Sequence, residues 1–272
     1  MTKATNTYTR RPKYDVYKYS GTGNTFVLID GRDRSIGDYV TIGKELCQKH
    51  NVDGLLVLES SQVAALKMRI INRDGTEAEM CGNGSRCAAH WAHHFAGLPR
   101  QFMMETGAGI LSASLNGEEV KIRLTNPTDF KPIKDLVMPE AVGDIYFINT
   151  GVPHLVVEVK HIETVDIEKR GAWIRYHELF KPKGTNASFF EYIAPGEIKA
   201  RVYERGVEGE TQSCGTGSTA CALVSAYKYQ LMSPIQVSVT SGDVLQIYFQ
   251  FNNSIFTEVY LEGKVDFKGK CS

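Results

Sequence analysis

The amino-acid sequence predicts an α+β fold made of two copies of one unit, and three observations carry that prediction. First, a cysteine–glycine motif occurs twice: Met80-Cys81-Gly82-Asn83-Gly84-Ser85-Arg86-Cys87 and Ser213-Cys214-Gly215-Thr216-Gly217-Ser218-Thr219-Ala220-Cys221, with Cys214 lying 133 residues after Cys81. Second, another landmark repeats in nearly the same register. Tyr19-Ser20-Gly21-Thr22-Gly23-Asn24 leads into FVLID, and Asn149-Thr150-Gly151-Val152-Pro153-His154 leads into LVVEV, with 130 residues from Asn24 to His154. Third, many short strand-like runs surround a few helical ones. Two landmarks in register argue for duplication, and two copies of a unit pack about a pseudo-twofold axis with a site between them.

In chain order, strands are expected over 14–20, 25–30, 54–60, 64–71, 101–106, 109–115 and 119–125, then over 144–149, 155–159, 187–193, 198–204, 235–240, 245–250 and 257–263. Each run is short, rich in β-branched and aromatic residues, and bounded by Gly, Asn or Asp. Helices are expected over 38–50, 85–97, 168–180 and 218–230 from their apolar periodicity. A turn-like break at Asn126-Pro127-Thr128 divides the chain into halves 14–125 and 126–261, with 262–272 returning to the first.

The 272 residues are 42% hydrophobic, enough to bury a core without staples. Lys+Arg and Asp+Glu are equal at 31 each, which gives no electrostatic case for nucleic acid or an anionic membrane. No run approaches the ~18–20 apolar residues of a membrane span. The first dozen residues, which include Arg10-Arg11, read as a polar tail without the apolar centre of a signal peptide, so the cytoplasm is the expected compartment. Reduced thiols are expected there, with Cys47, Cys87, Cys221 and Cys271 as packing residues. Cys87, His90 and His94 fall at helical spacing with His93 adjacent. The set lies in one helix with no Cys-x-x-Cys, so a surface or capping role is expected rather than a metal. Gly82–Gly84 lacks the Lys-Ser/Thr of a nucleotide loop.

The two motifs carry the chemistry. Each cysteine stands between a strand-like run and a helix, at a helix N-terminus where free N–H groups and the dipole favour an anion. That position is expected to lower the thiol pKa and to offer donors to a substrate carboxylate. Two such loops face to face place an α-carbon between two sulfurs. One thiolate removes the α-proton, and the other thiol returns a proton to the opposite face.

The segments MRIINRDGTEAEMCGNGSRC and YERGVEGETQSCGTGSTA, with KYSGTGNTFVLID and GTNASFFE, closely resemble the diaminopimelate epimerase family, from about Tyr14 to the C-terminus. The resemblance implies two pseudo-symmetric domains, each a barrel-like mixed or antiparallel sheet around a central helix. It implies epimerisation of LL-diaminopimelate to the meso form in lysine and peptidoglycan precursor synthesis, without a cofactor, by a homodimer. By motif, Cys81 and Cys214 are catalytic, and Gly82, Asn83, Gly215 and Thr216 hold the α-carboxylate. Asn24, Asn72, Asn186, Glu204 and Arg205 hold the rest of the substrate. His154 and Glu204 tune the thiols, His154 that of Cys81 and Glu204 that of Cys214. Two departures stand out: Val152 where many members have Asn before the Pro-His pair, and a shorter stretch over 49–54.

Competing readings are a two-thiol racemase acting on proline or histidine, a thiol-redox protein, and a non-catalytic binding module. A disulfide between Cys81 and Cys214 would be an inactivating liability. Asn24 and Asn72 beside turns can serve only the backbone. His154 can be a satisfied core histidine, and Glu204–Arg205 a local ion pair.

Overall fold

The structure is a computed structural model that describes residues 14–33 and 36–271. The polar tail with Arg10-Arg11 lies outside the described residues. The first half comprises β1 (Val16–Gly21), β2 (Asn24–Asp30), α1 (Tyr39–His50), β3 (Gly54–Glu59), β4 (Leu66–Asn72), β5 (Glu77–Ala78), α2 (Gly82–Ala96), β6 (Gln101–Thr106), β7 (Gly109–Asn116) and β8 (Glu119–Arg123). There follow β9 (Thr128–Ile133), β10 (Ile145–Asn149), β11 (Pro153–Glu158), α3 (Ile167–Arg175), β12 (Asn186–Ala194), β13 (Glu197–Glu204), β14 (Gly209–Glu210) and α4 (Gly215–Tyr229). The chain ends with β15 (Ile235–Ser238), β16 (Val244–Asn252), β17 (Ile255–Lys264) and β18 (Asp266–Cys271).

Strand pairing turns the sequence repeat into architecture. One run of neighbours is β18–β1–β2–β3–β4–β6–β7–β8, with β2/β3 and β4/β6 parallel and the other pairs antiparallel. The other is β9–β10–β11–β12–β13–β15–β16–β17, with β11/β12 and β13/β15 parallel at the equivalent places. β8 and β17 join the two runs, Leu261 opposite Ile122. Each run curls around one helix, α2 in the first and α4 in the second. Both helices are buried along most of their length, because their small residues let the sheet close on every side. α1 and α3 lie outside, each with its own apolar cluster beneath it. The main core runs unbroken through both halves, from Tyr19 and Leu56 to Leu223 and Leu261.

The helices begin earlier than periodicity indicates. α2 starts at Gly82 and α4 at Gly215, so each motif cysteine is itself the N-cap, in extended backbone conformation. The helix expected over 168–180 stops at Arg175 and resumes as a 3-10 turn over Glu178–Phe180. β9 and β18 are strands that hydrophobic alternation does not reveal.

Candidate active site

The two cysteine loops meet above Leu261. A Cβ built on Gly82 or on Gly215 would lie 2.9 Å from the same Leu261 Cδ2, and the one on Gly215 also 3.9 Å from Gly82 Cα. Only glycine at both positions allows the N-termini of α2 and α4 to approach this closely. Side chains then tie the loops together. Asn83 Nδ2 donates to Ser213 O at 3.1 Å, and the Thr22 and Ser213 hydroxyls lie 3.1 Å apart. Thr150 Oγ1 donates to Thr216 O at 2.9 Å, anchoring the second loop to the β10–β11 turn. The Asn83 amide is thus spent on the brace, and what it retains for an anion is its backbone N–H.

Around Cys81, the Gly84 N–H points at Sγ from 3.5 Å, and Asn24 Oδ1 lies 3.8 Å away. Asn24 is held in turn by Asp53 Oδ2 at 2.9 Å, which also accepts from both donors of Thr25. Asn72 donates to Thr76 Oγ1 within its own turn, as the local reading of that residue expects. It is also the register partner of Gly54, next to Asp53. Around Cys214, Thr216 Oγ1 lies 3.5 Å from Sγ, and the carboxylate of Glu204 faces the thiol while accepting from Thr211 Oγ1 at 2.5 Å. Asn186 Oδ1 accepts from the Arg205 N–H at 2.8 Å and its amide donates to Pro153 O. The Arg205 guanidinium points at the carbonyls of Lys183 and Gly184, not at Glu204.

His154 is fully buried. Its Nδ1 meets Ser188 Oγ at 2.9 Å and its Nε2 meets Thr216 Oγ1 at 3.0 Å. Its hydrogen-bonded route leads through Thr216 to Cys214, whereas the resemblance implies a pairing with Cys81. Burial, with the Arg205 charge nearby, pushes its pKa down to about 3, so it is a neutral imidazole between two hydroxyls.

The thiols also differ from expectation. Burial raises the Cys81 pKa, and the Gly84 and Asn83 N–H groups offset that only in part; Glu204 raises it further and Arg86 lowers it. Burial and then Glu204 raise the Cys214 pKa well above its ordinary value, against the pull of Thr216 and the Gly217 N–H. The helix ends do stabilise the thiolates, but desolvation outweighs them. Burial also raises the Glu204 pKa, making its carboxylate a stronger base.

All six cysteines are free. Cys47, Cys87 and Cys221 are buried in the apolar clusters and Cys271 packs at the edge of one. His90 bonds to Tyr19 and Glu118 and His93 to Leu98 O, and no group of three metal-ligating side chains occurs among the described residues.

A family model described as Diaminopimelate epimerase matches residues 16–128 and 146–268. A diaminopimelate epimerase of Aquifex aeolicus is 40% identical over 279 residues, covering 95% of this chain and 98% of that one. The chain belongs to the diaminopimelate epimerase family. It is an isomerase with the fold of that family. Among solved structures it is similar to a PhzF-family phenazine biosynthesis protein from Bacillus anthracis, with TM-score 0.73 at 16% identity over 95% and 98% of the two chains. It is also similar to a probable proline racemase from Agrobacterium radiobacter K84, with TM-score 0.67 at 13% identity over 96% and 92%. Those two likenesses concern the fold alone.

Among the epimerase's candidate residues, the sequence reading omitted Asp53, Thr22, Ser188, Thr211, Ser213 and Arg86. Thr22, Ser213 and Arg86 stand inside the repeated motifs. Asp53, Ser188 and Thr211 carry no local signal, because only the fold brings them to their partners.

Proposed function

We propose that this epimerase converts LL-2,6-diaminopimelate to the meso form by a two-thiol, cofactor-free mechanism, with Cys81 and Cys214 on opposite faces of the α-carbon. The observation that carries the reading is the meeting of two cysteine-capped helix N-termini over Leu261. The substrate α-carboxylate binds the backbone N–H groups of the Gly82-Asn83 and Gly215-Thr216 turns, where both helix dipoles favour negative charge. One cysteine, as thiolate, takes the α-proton. The electron pair of the C–H bond delocalises into the carboxylate, giving an enediolate-like dianion that the same N–H groups stabilise. The other cysteine, as thiol, delivers its proton to the opposite face, and the configuration is inverted with one proton lost and one gained.

Because burial keeps both thiols protonated at rest, a base must generate the thiolate. Glu204 serves Cys214, its raised pKa bringing it closer to the thiol it must deprotonate. His154 orients Thr216 as a neutral hydrogen-bonding group and carries no charge. Asn24, Asn72, Asn186 and Arg205 recognise the distal amino-acid end, and Val152 supplies an apolar side chain where many family members have Asn. The halves 14–125, with the C-terminal strand, and 126–261 act as the two domains. The working form is a cytoplasmic homodimer; light scattering on the purified protein should give twice the monomer mass, and a monomer mass would contradict the dimer. No helix of the described residues is long and apolar enough to cross a membrane.

The test is substitution of each thiol alone. Cys81→Ala and Cys214→Ala should each abolish epimerisation while circular dichroism is unchanged. Retained turnover in either variant contradicts the two-thiol reading.

A further inference from the structure

Arg86 is fully buried at the start of the second turn of α2, five residues after Cys81. Its Nη2 donates to Thr22 Oγ1 at 2.9 Å and to Asn83 Oδ1 at 3.0 Å. Its Nε and Nη1 have no hydrogen-bond partner, and no carboxylate forms an ion pair with it among the described residues. The charged or ionisable groups facing it are Cys87, Cys81 and Asp243. Room for the guanidinium comes from β17, where a Cβ on Gly263 would lie 3.5 Å from Arg86 Cζ. A buried, uncompensated cation costs several kcal/mol, about as much as a well-packed core substitution can lose, so the fold retains it against a strong penalty.

The two acceptors of Arg86 are the two side chains that bridge the cysteine loops. Thr22 also donates to Asn83 Oδ1 at 3.3 Å, and both reach Ser213, the residue before Cys214. The duplicated motif has Thr219 at the equivalent place, where its hydroxyl closes only on Gly215 O. The cation therefore belongs to the Cys81 loop alone, while the carboxylate of Glu204 lies against Cys214.

We propose that Arg86 is a positioning residue of the epimerisation: it holds the two cysteine loops in register through Thr22 and Asn83 and sets a buried positive charge behind the Cys81 thiol. The charge is left unpaired in the protein so that anionic states of the site, the Cys81 thiolate and the dianionic intermediate, complete it. This rests on the two-thiol reading.

The test compares Arg86→Gln, which removes the charge, with Arg86→Lys, which keeps it without the fork. The readouts are kcat, KM and the pH dependence of Cys81 alkylation by iodoacetamide, located by mass spectrometry. Glu204 and Arg86 are the charged groups that face Cys81. Arg86→Gln should lower kcat about tenfold or more with little change in KM, and should move the Cys81 alkylation profile up by about one pH unit. Arg86→Lys should restore the profile and leave kcat reduced. A folded Arg86→Gln protein with the wild-type alkylation profile overturns the proposal, whatever its kcat, since a merely structural brace would behave so. Should Arg86→Gln fail to fold, wild-type kcat in Arg86→Lys overturns it. Activity surviving in Cys81→Ala or Cys214→Ala defeats the two-thiol reading instead, whereas inactive cysteine variants beside an unaltered Arg86→Gln defeat only this proposal.

Discussion

At the scale of single residues, the site is governed by desolvation. Cys81, Cys214, Glu204 and His154 are each pushed by burial toward the neutral form. Glu204 is then the group that must carry a proton away from Cys214. Glu204→Gln should lower kcat by about 100-fold or more, the scale of a lost general base, with KM little changed in steady-state assays. His154 makes a stability prediction. Its folded pKa of about 3 lies below its ordinary value of 6.5, so the unfolded chain binds the proton first. Its contribution is complete at neutral pH and is lost as pH falls from ~6.5 toward ~3, at about 1.4 kcal/mol per pH unit. Urea denaturation between pH 7 and 4 should show a shallower acid loss in His154→Asn than in the wild type. Equal slopes would contradict the assignment. The motif residues were legible in the sequence because they repeat. The sign of the thiol shifts was not, because a helix terminus is visible in a pattern of glycines and the surrounding burial is not.

At the scale of elements, the two glycine-started helices converge on one buried leucine. Leu261 is 0% exposed and has nowhere to retreat when a methyl group is added at Gly215. Gly215→Ala should lose about 1–3 kcal/mol of stability, as overpacked core positions do. Leu261→Ala should recover part of that loss in a double-mutant cycle by urea denaturation, and strict additivity would contradict the close approach. The strand reading fails in an instructive way. β9 and β18 escape detection, and they are equivalent elements. Each pairs on one side only, β9 with β10 and β18 with β1, and their side chains are mostly exposed. An edge strand with two wet faces has no reason to alternate apolar and polar residues. TDFKPI and DFKGKC therefore carry no such signal, whereas the interior strand LKMRIIN alternates and GLLVLE stands out as a continuous apolar run.

At the scale of the whole molecule, duplication supplies symmetry and a few side chains break it. The strand order of one half is repeated in the other, down to the positions of the parallel pairs, and β18 returns to β1 as β9 runs on to β10. This closure predicts that removing residues 266–272 leaves β1 without its outer partner. The truncated chain should melt several degrees lower by calorimetry, since the hydrogen-bonded pairing is lost and the outer edge of the largely buried β1 is uncovered. An unchanged midpoint would contradict the role of β18. The asymmetric additions are Arg86 beside the first thiol, and Glu204 and His154 on the side of the second. Repetition in the sequence made the duplication readable, but the partners of these three residues come from distant segments that only folding assembles.

The central claim is that two thiols exchange one proton each across a single carbon. The most direct measurement is incubation of the protein with LL-diaminopimelate in heavy water, followed by mass spectrometry and chiral analysis. The account predicts meso product carrying one solvent deuterium at the inverted α-carbon, and no such product from Cys81→Ala or Cys214→Ala. Meso product without solvent deuterium, or α-carbon exchange on proline or histidine with none on diaminopimelate, would contradict it.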